Sequence, residues 1–435
     1  MIYNLVVLFL LVFCFPIPGI GNSVYLAILI AFIKLLCHRQ TGILIQNIRI
    51  GYVAQLITWT IGLVIIGIIF TIINGAFEFS RTGALCSLLI GLVSVVIVYT
   101  SLNVPVSGII TSRELMERMI VYIFVIQSFI SIGSFVSPGF KAIISNFQFP
   151  GEADLAEEAY SGVRGLALSG RLYFEFAATC GLVTIFQFKR IVEEDRVTIS
   201  ALILLLLVVI CGFFAGRTAL VGFGVGFMYI VLAKTGIEFK LSFILRLVLI
   251  TGLLCTAIWC ILPSDIKDFV TQHLLPWVFD LFIKYFETGS TESSHSFNSL
   301  NEMYDNVQIS EHEWIIGSGM YMEPSGRYYG HVDAGYLRQI LYWGIMGTLV
   351  SLAYTLKIFQ FSWDKSSEDK NQHLFILTII IYTLIVHYKG DLLSISRFYY
   401  VIIYLYLISI WKTYQIQRQS PLNENHCSNR NLSMI

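Results

Sequence analysis

Runs of about twenty apolar residues recur from one end of the chain to the other, parted by short polar or charged stretches. At 1.5 Å per residue each run spans the roughly 30 Å hydrocarbon core of a bilayer as a helix. Twelve such runs are readable, near residues 3–19, 21–37, 52–73, 84–103, 119–144, 167–187, 197–215, 218–234, 242–262, 336–359, 373–388 and 392–411. The short alternating segments of a β-barrel are not the pattern here. The expectation is an all-α fold, a polytopic transmembrane helical bundle of about twelve spans. Spans one to nine fill 1–262, a large loop fills 263–335, spans ten to twelve fill 336–411, and a polar tail fills 412–435. The leading run, MIYNLVVLFLLVFCFPIPG, has no basic start and no clear small-residue cleavage site, so it is expected to be retained as the first span.

The polar connections alternate in character. One set, including KLLCHRQ, SRELMER, FKRIVEEDR, KTGIEFK and WDKSSEDK, is short and basic and is expected to face the cytoplasm, with both termini on that side. The other side carries the large loop. Its first part is aromatic and semi-amphipathic, broken by Pro276, and suits a helix lying at the interface. Its middle is polar and turn-rich, and its last part is dense in Gly, Tyr and charge. No internal repeat relates the two halves, which argues against a carrier built from repeats.

Composition strengthens this picture. Apolar residues make up 56% and charged residues 13%, too lopsided for a soluble chain to bury. Formal net charge is zero, so no nucleic-acid partner is implied. The eight cysteines lie in or near spans or in the tail, and suggest neither a disulfide framework nor a metal site. No cofactor is expected.

Charge placement supplies the candidate chemistry. In CGFFAGRTALVGFGVGFMYIVLA one cation, Arg217, sits in an apolar stretch at the outer turn between spans seven and eight. Arg164, Arg171, Arg338, Lys389 and Arg397 fall near the same outer level, the side where cations are disfavoured. Local pairing is one explanation, Arg171 with Glu175 and Arg397 with Asp391, and snorkelling to headgroups is another. The shared explanation is an anion at the membrane boundary, since guanidinium forks grip phosphate bidentately and keep their charge. A pyrophosphate on a lipid carrier suits that depth. His331 and Asp333, in GHVDAGY above span ten, are alternative general bases for a hydroxyl acceptor, although Asp333 also suits a helix cap or a pair with Arg338. Tyr328, Tyr329 and Tyr336 suit either sugar stacking or an interfacial aromatic belt. Gly222 and Gly226 form a GxxxG helix-packing pattern, and Gly317-Ser318-Gly319 reads as a turn.

With VRGLALSG before span six, AGRTALVGFG at span eight, GSGMYMEPSGRYYGHVDAGYLRQILYWGIMG entering span ten and HYKGDLLSISR before the last span, the chain resembles the bacterial Wzy-type O-antigen polymerases. The resemblance covers nearly the whole chain and lies in layout and short patches. It implies a multi-pass protein of the bacterial inner membrane that joins undecaprenyl-pyrophosphate-linked oligosaccharide units at the periplasmic face. By motif the pyrophosphate role falls on Arg164 and Arg217, with Arg171 a poorer match. Metal-independent glycosyl transfer is implied, membrane lipid surrounds the protein, and a polysaccharide chain-length regulator is a candidate partner. O-antigen ligases share the layout and are the nearest alternative. A flippase of the lipid-linked unit is the alternative of another class, and would show charges lining a path across the membrane. A scaffold would leave the outer arginines unexplained.

Overall fold

A computed structural model describes residues 1–49, 51–102, 111–149, 167–170, 173–262, 264–289, 295–365 and 370–431. Each predicted segment overlaps a helix, though the bounds differ: α1 Ile2–Phe13, α2 Ser23–Cys37, α4 Tyr52–Ile73, α5 Ser80–Ser101, α6 Ser112–Val136, α8 Tyr173–Glu193, α9 Ile199–Ala215, α10 Thr218–Leu232, α11 Ile237–Ile261, α16 Gly335–Lys365, α17 Lys370–Lys389 and α18 Arg397–Asn431. Short helices α3 Thr41–Arg49 and α7 Pro138–Ser145 lie between them, and α12 Ser264–Phe269, α13 Leu275–Thr288, α14 His295–Asn306 and α15 Glu311–Ile316 build the large loop. The one sheet among the described residues is a two-strand hairpin, Pro16–Ile17 with Gly21–Asn22, joining α1 to α2.

Among the described residues six helices, α4, α5, α6, α11, α16 and α17, are long and apolar enough to cross a membrane, or seven if α2 and α3, bent by 117°, form one broken span. The chain is therefore an all-α, membrane-embedded protein. Helices α1, α9 and α10 are apolar but shorter. Prolines shift some boundaries. α1 stops three residues before Pro16 and α6 two before Pro138, because a proline ring disfavours helical backbone in the residue preceding it. α6 also begins earlier than its hydropathy suggests, since Thr111 and Glu114 close a capping box there.

The core is organised around two helices buried on all sides. α18 is buried from Phe398 to Ser409 and α8 from Phe176 to Val192. α5, α6 and α8 pack on α18, and α10 packs on α8. The last contact depends on glycine. A Cβ on Gly222 would stand 2.3 Å from the Cα of Gly181, and one on Gly226 would stand 2.2 Å from Phe188. Without side chains there, the two backbones touch, which is the close packing that GxxxG permits in lipid. α11 by contrast leaves Val248, Leu249 and Leu253 more than three-fifths exposed, as a lipid-facing helix does.

Helix α16 is broken. Trp343 and Gly344 leave helical geometry, Gly344 with φ 67°. The interrupted ladder frees two carbonyls, and the large loop fills them: Ser318 N donates to Leu341 O at 2.7 Å and Gly319 N to Tyr342 O at 2.8 Å. The turn expected at Gly317-Ser318-Gly319 is thus a plug for the break, with φ near 73° at Gly317 and 72° at Gly319. A small second core of Val332, Ala334, Leu337 and Leu341 seats α14 on the start of α16 through Leu300 and Met303.

The bundle has two chemically distinct ends. At one lie the large loop, the starts of α5, α8, α10 and α16, and the end of α17. At the other, the start of α6 meets the end of α8 in a buried ion network: Lys189 Nζ lies 2.7 Å from Glu117 and 2.9 Å from Glu193, and Arg113 lies 2.9 Å from Glu193.

Candidate functional site: an arginine–tyrosine cluster at the loop end

The first turn of α5 places Arg81 inside the protein, fully buried. Its Nη1 donates to Asp391, which follows α17. The rings of Trp343, Tyr321 and Tyr342 surround the guanidinium, with centroids 4.8, 5.3 and 5.7 Å away. Asp391 also accepts from the Tyr321 hydroxyl at 3.1 Å and from Gln339 Nε2 at 3.0 Å. Burial alone pushes the Asp391 carboxyl up, but the Arg81 guanidinium, with Arg338 beyond it, outweighs this and holds the group below its ordinary value. The Tyr321 hydroxyl is held well above the usual range by its burial and by the adjacent Asp391 charge.

Arg338 enters the same cluster from the first turn of α16. It is 9% exposed, and its guanidinium is sandwiched between Tyr328 at 3.5 Å and Tyr321 at 4.1 Å. Tyr321 thus separates the two arginines. Its backbone is fixed by Glu78, just before α5, whose carboxylate accepts from Tyr321 N at 2.8 Å and Met322 N at 3.3 Å. On α17, His387 accepts at Nδ1 from Leu392 N at 3.0 Å, so its proton sits on Nε2.

The donor inventory is lopsided. Among the described residues, Nε and Nη2 of Arg81, and Nε and Nη2 of Arg338, are buried without a hydrogen-bond partner. An orphaned buried donor costs about 1–3 kcal/mol. Asp391 pairs with Arg81, whereas Arg338 lies between aromatic rings with no ion pair among the described residues, so the cluster keeps spare N–H groups. That arrangement suits a polyoxygen anion such as a phosphate.

The structure treats the expected residues unequally. Arg164 and Arg171 lie outside the described residues. Arg338 is in the cluster, and Tyr328 covers it. Arg217 stands half-buried at the start of α10, at the same end of the bundle. Arg397 opens α18, but its Cγ and Nε lie over Gly91, ten residues along α5 from Arg81, about 15 Å at 1.5 Å per residue. The stretch 392–396 is non-helical and runs inward, which carries Arg397 down. The pairing of Asp391 with Arg397 is therefore corrected: Asp391 pairs with Arg81. His331 has φ 56° and an exposed side chain 3.8 Å from Glu323 Oε1. Asp333 is exposed and, among the described residues, forms neither the expected helix cap nor an ion pair with Arg338. Tyr329 donates its hydroxyl to Glu313 at 3.0 Å, and Tyr336 donates to Leu384 O at 3.0 Å with its ring edge-on to His387.

Sequence reasoning missed Arg81, Tyr321, Gln339 and Glu78. Arg81 carried the same signal as the others, a cation at the outer start of a span, but it stood alone in FEFSRTG with no motif beside it. No protein-family model matches the chain, and no curated protein matches it significantly.

Proposed function

We propose that the chain is an integral-membrane glycosyltransferase that joins undecaprenyl-pyrophosphate-linked oligosaccharide units, working as an O-antigen polymerase at the periplasmic face of the inner membrane. The observation that carries this reading is the pair Arg81 and Arg338, two buried guanidiniums with unfilled donors, at one end of an apolar helical bundle and beneath a polar loop. A lipid pyrophosphate reaches such a site with its tail in the bilayer and its charge at the boundary. In the reaction an acceptor sugar hydroxyl attacks the anomeric carbon of the donor chain. The bond from that carbon to the phosphate oxygen breaks, its electrons leave with the lipid pyrophosphate, and the hydroxyl proton passes to His331 or Asp333. Arginine donors already in place stabilise the departing charge without reorganising, an effect worth about 10²–10³ in rate per donor.

Deleting the gene in its host and resolving the surface polysaccharide by size tests this. Loss of long chains with a single repeat unit retained is expected. Complete loss of the polysaccharide would favour ligation to the lipid A core, and an unchanged pattern would end the glycosyltransferase reading. A carrier of the lipid-linked unit is the second reading, favoured by the buried Glu117–Lys189 pair at the opposite end, which puts charge at both ends of the bundle. Transbilayer movement of a labelled lipid-linked sugar in vesicles holding the purified protein would support it.

A further inference from the structure

Beside the arginine cluster, and distinct from it, the large loop encloses an open groove of about 470 Å³. Glu302, Asn306 and Gln308 form one side, from α14 and the chain that follows it. Glu313, Tyr329 and His331 form the other. The floor is the small apolar core around Val332 and Leu341. The groove has the size of an ordinary small-molecule site.

Its chemistry is specific. The Tyr329 ring is held in place by the hydroxyl's bond to Glu313, and Glu313 is fixed by a capping box with Ser310, whose N–H it accepts at 3.0 Å. One rigid aromatic face therefore stands among carboxylates and amides, the set that recognises a hydroxyl-rich ring: the ring stacks, and the acceptors bind its hydroxyls. Among the described residues neither Lys nor Arg lines the groove. Among the described residues no group of His, Cys, Asp and Glu is arranged to hold a metal ion, which leaves Glu302 and Glu313 to accept hydrogen bonds. The two sites abut across adjacent residues, since Tyr328 covers Arg338 while Tyr329 lines the groove.

We infer that this groove is the subsite for the acceptor sugar, and that it takes an uncharged or amine-bearing sugar and rejects an acidic one. The inference rests on the glycosyltransferase reading for the word acceptor; the binding chemistry stands by itself. An anionic sugar would face Glu302 and Glu313 with no lysine or arginine among the described lining residues to offset them, whereas the pyrophosphate finds its cations behind Tyr328.

The test uses the full-length protein in lipid nanodiscs, with saturation-transfer NMR on three probes: N,N′-diacetylchitobiose, glucosamine and digalacturonic acid. The first two are expected to bind with dissociation constants of order 1 mM, and the acid at least about tenfold more weakly. Glu302→Gln, an exposed change that leaves the fold alone, should weaken glucosamine about fivefold or more, as loss of one charge-assisted bond does. Tyr329→Phe keeps the ring and reports the hydroxyl alone. Inorganic pyrophosphate, titrated in parallel, should bind all variants equally. Binding of digalacturonic acid as tight as that of chitobiose, or saccharide binding indifferent to Glu302→Gln, overturns the inference. Either result leaves the polymerase reading standing if gene deletion abolishes long chains. A deletion that leaves the polysaccharide unchanged removes the role as acceptor site, whatever the groove binds.

Discussion

At the scale of single residues, the decisive feature is the unequal pairing of two arginines, Arg81 with Asp391 and, among the described residues, Arg338 with aromatic rings alone. Removing Asp391 should expose it. Asp391→Asn leaves Arg81 buried without its counter-charge, and breaking such a pair by removing one partner costs about 3–5 kcal/mol. Thermal unfolding in detergent at neutral pH measures this. The acid dependence has a definite sign. The folded pKa of Asp391 lies below its ordinary value, so its contribution is present above the carboxylate range and is lost as pH falls through the folded pKa. The wild type should therefore lose this increment only below about pH 4, and Asp391→Asn should lack that component of the acid transition. The arginines call for a different substitution. Arg338→Lys keeps the charge but loses the planar stack between Tyr321 and Tyr328 and the bidentate fork. It is expected to cut polymer formation about 10²-fold with the protein still in the membrane, and near-normal chain length would assign Arg338 to packing alone. Arg338 was readable beforehand because it sat in a motif above a span. Arg81 was not: its role comes from Asp391 and Tyr321, which lie hundreds of residues away in sequence, and no local pattern encodes that meeting.

At the scale of elements, hydropathy located every long helix, because lipid forces apolar sequence and full backbone pairing onto the same segments. It failed where backbone pairing is completed by another part of the chain. The break in α16 at Trp343-Gly344 lies within an apolar run, and only the loop residues Ser318 and Gly319 satisfy the freed carbonyls. The inward course of 392–396 went unread for the same reason. Serines of that segment bond inside, Ser394 Oγ donating to Ser351 Oγ at 2.7 Å and Ser394 N to the Tyr400 hydroxyl at 3.0 Å. Two substitutions separate these effects. Gly222→Val drives a side chain into the α8 backbone and should cost about 1–3 kcal/mol or more, since overpacking a tight contact does. Gly344→Ala meets both a positive φ and the Ile315 backbone, with a Cβ 2.2 Å from the Ile315 carbonyl carbon. It should loosen the loop more than the bundle. Limited proteolysis ought to cut Gly344→Ala within the loop while helix content by circular dichroism holds, whereas Gly222→Val should lower the unfolding temperature of the whole protein.

At the scale of the whole molecule, two charged clusters mark the two ends, and they differ in what they leave unsatisfied. At the Glu117–Lys189 end each of these cations has a carboxylate within 4 Å: Lys189 with Glu117 and Glu193, Arg113 with Glu193, and Arg118 and Arg190 with Glu194. At the Arg81–Arg338 end only Arg81 has a carboxylate partner among the described residues, and a loop with a polar groove stands alongside. A paired network stabilises two helix ends; the spare donors of the other are what the proposed anion would fill. Which end faces which compartment then decides whether the chemistry proposed here has access to its substrate. The excess of basic residues in the connections at the Glu117–Lys189 end predicts that this end is cytoplasmic. Reporter fusions at Glu193 and Lys365 should therefore read cytoplasm, and a fusion at Glu302, on the groove's rim, should read periplasm. The prediction is demanding because positive charges also sit at the other end, Arg81, Arg217 and Arg338 among them, and a simple count there would weaken the contrast. Those cations are drawn inward and are partly or fully buried, so they are unavailable to anchor a loop to anionic headgroups, and the orientation should follow the exposed basic loops instead. A cytoplasmic signal at Glu302 would put the arginine cluster and the groove in the compartment where the lipid-linked units are built, and polymerisation across the membrane from their synthesis would have to be abandoned.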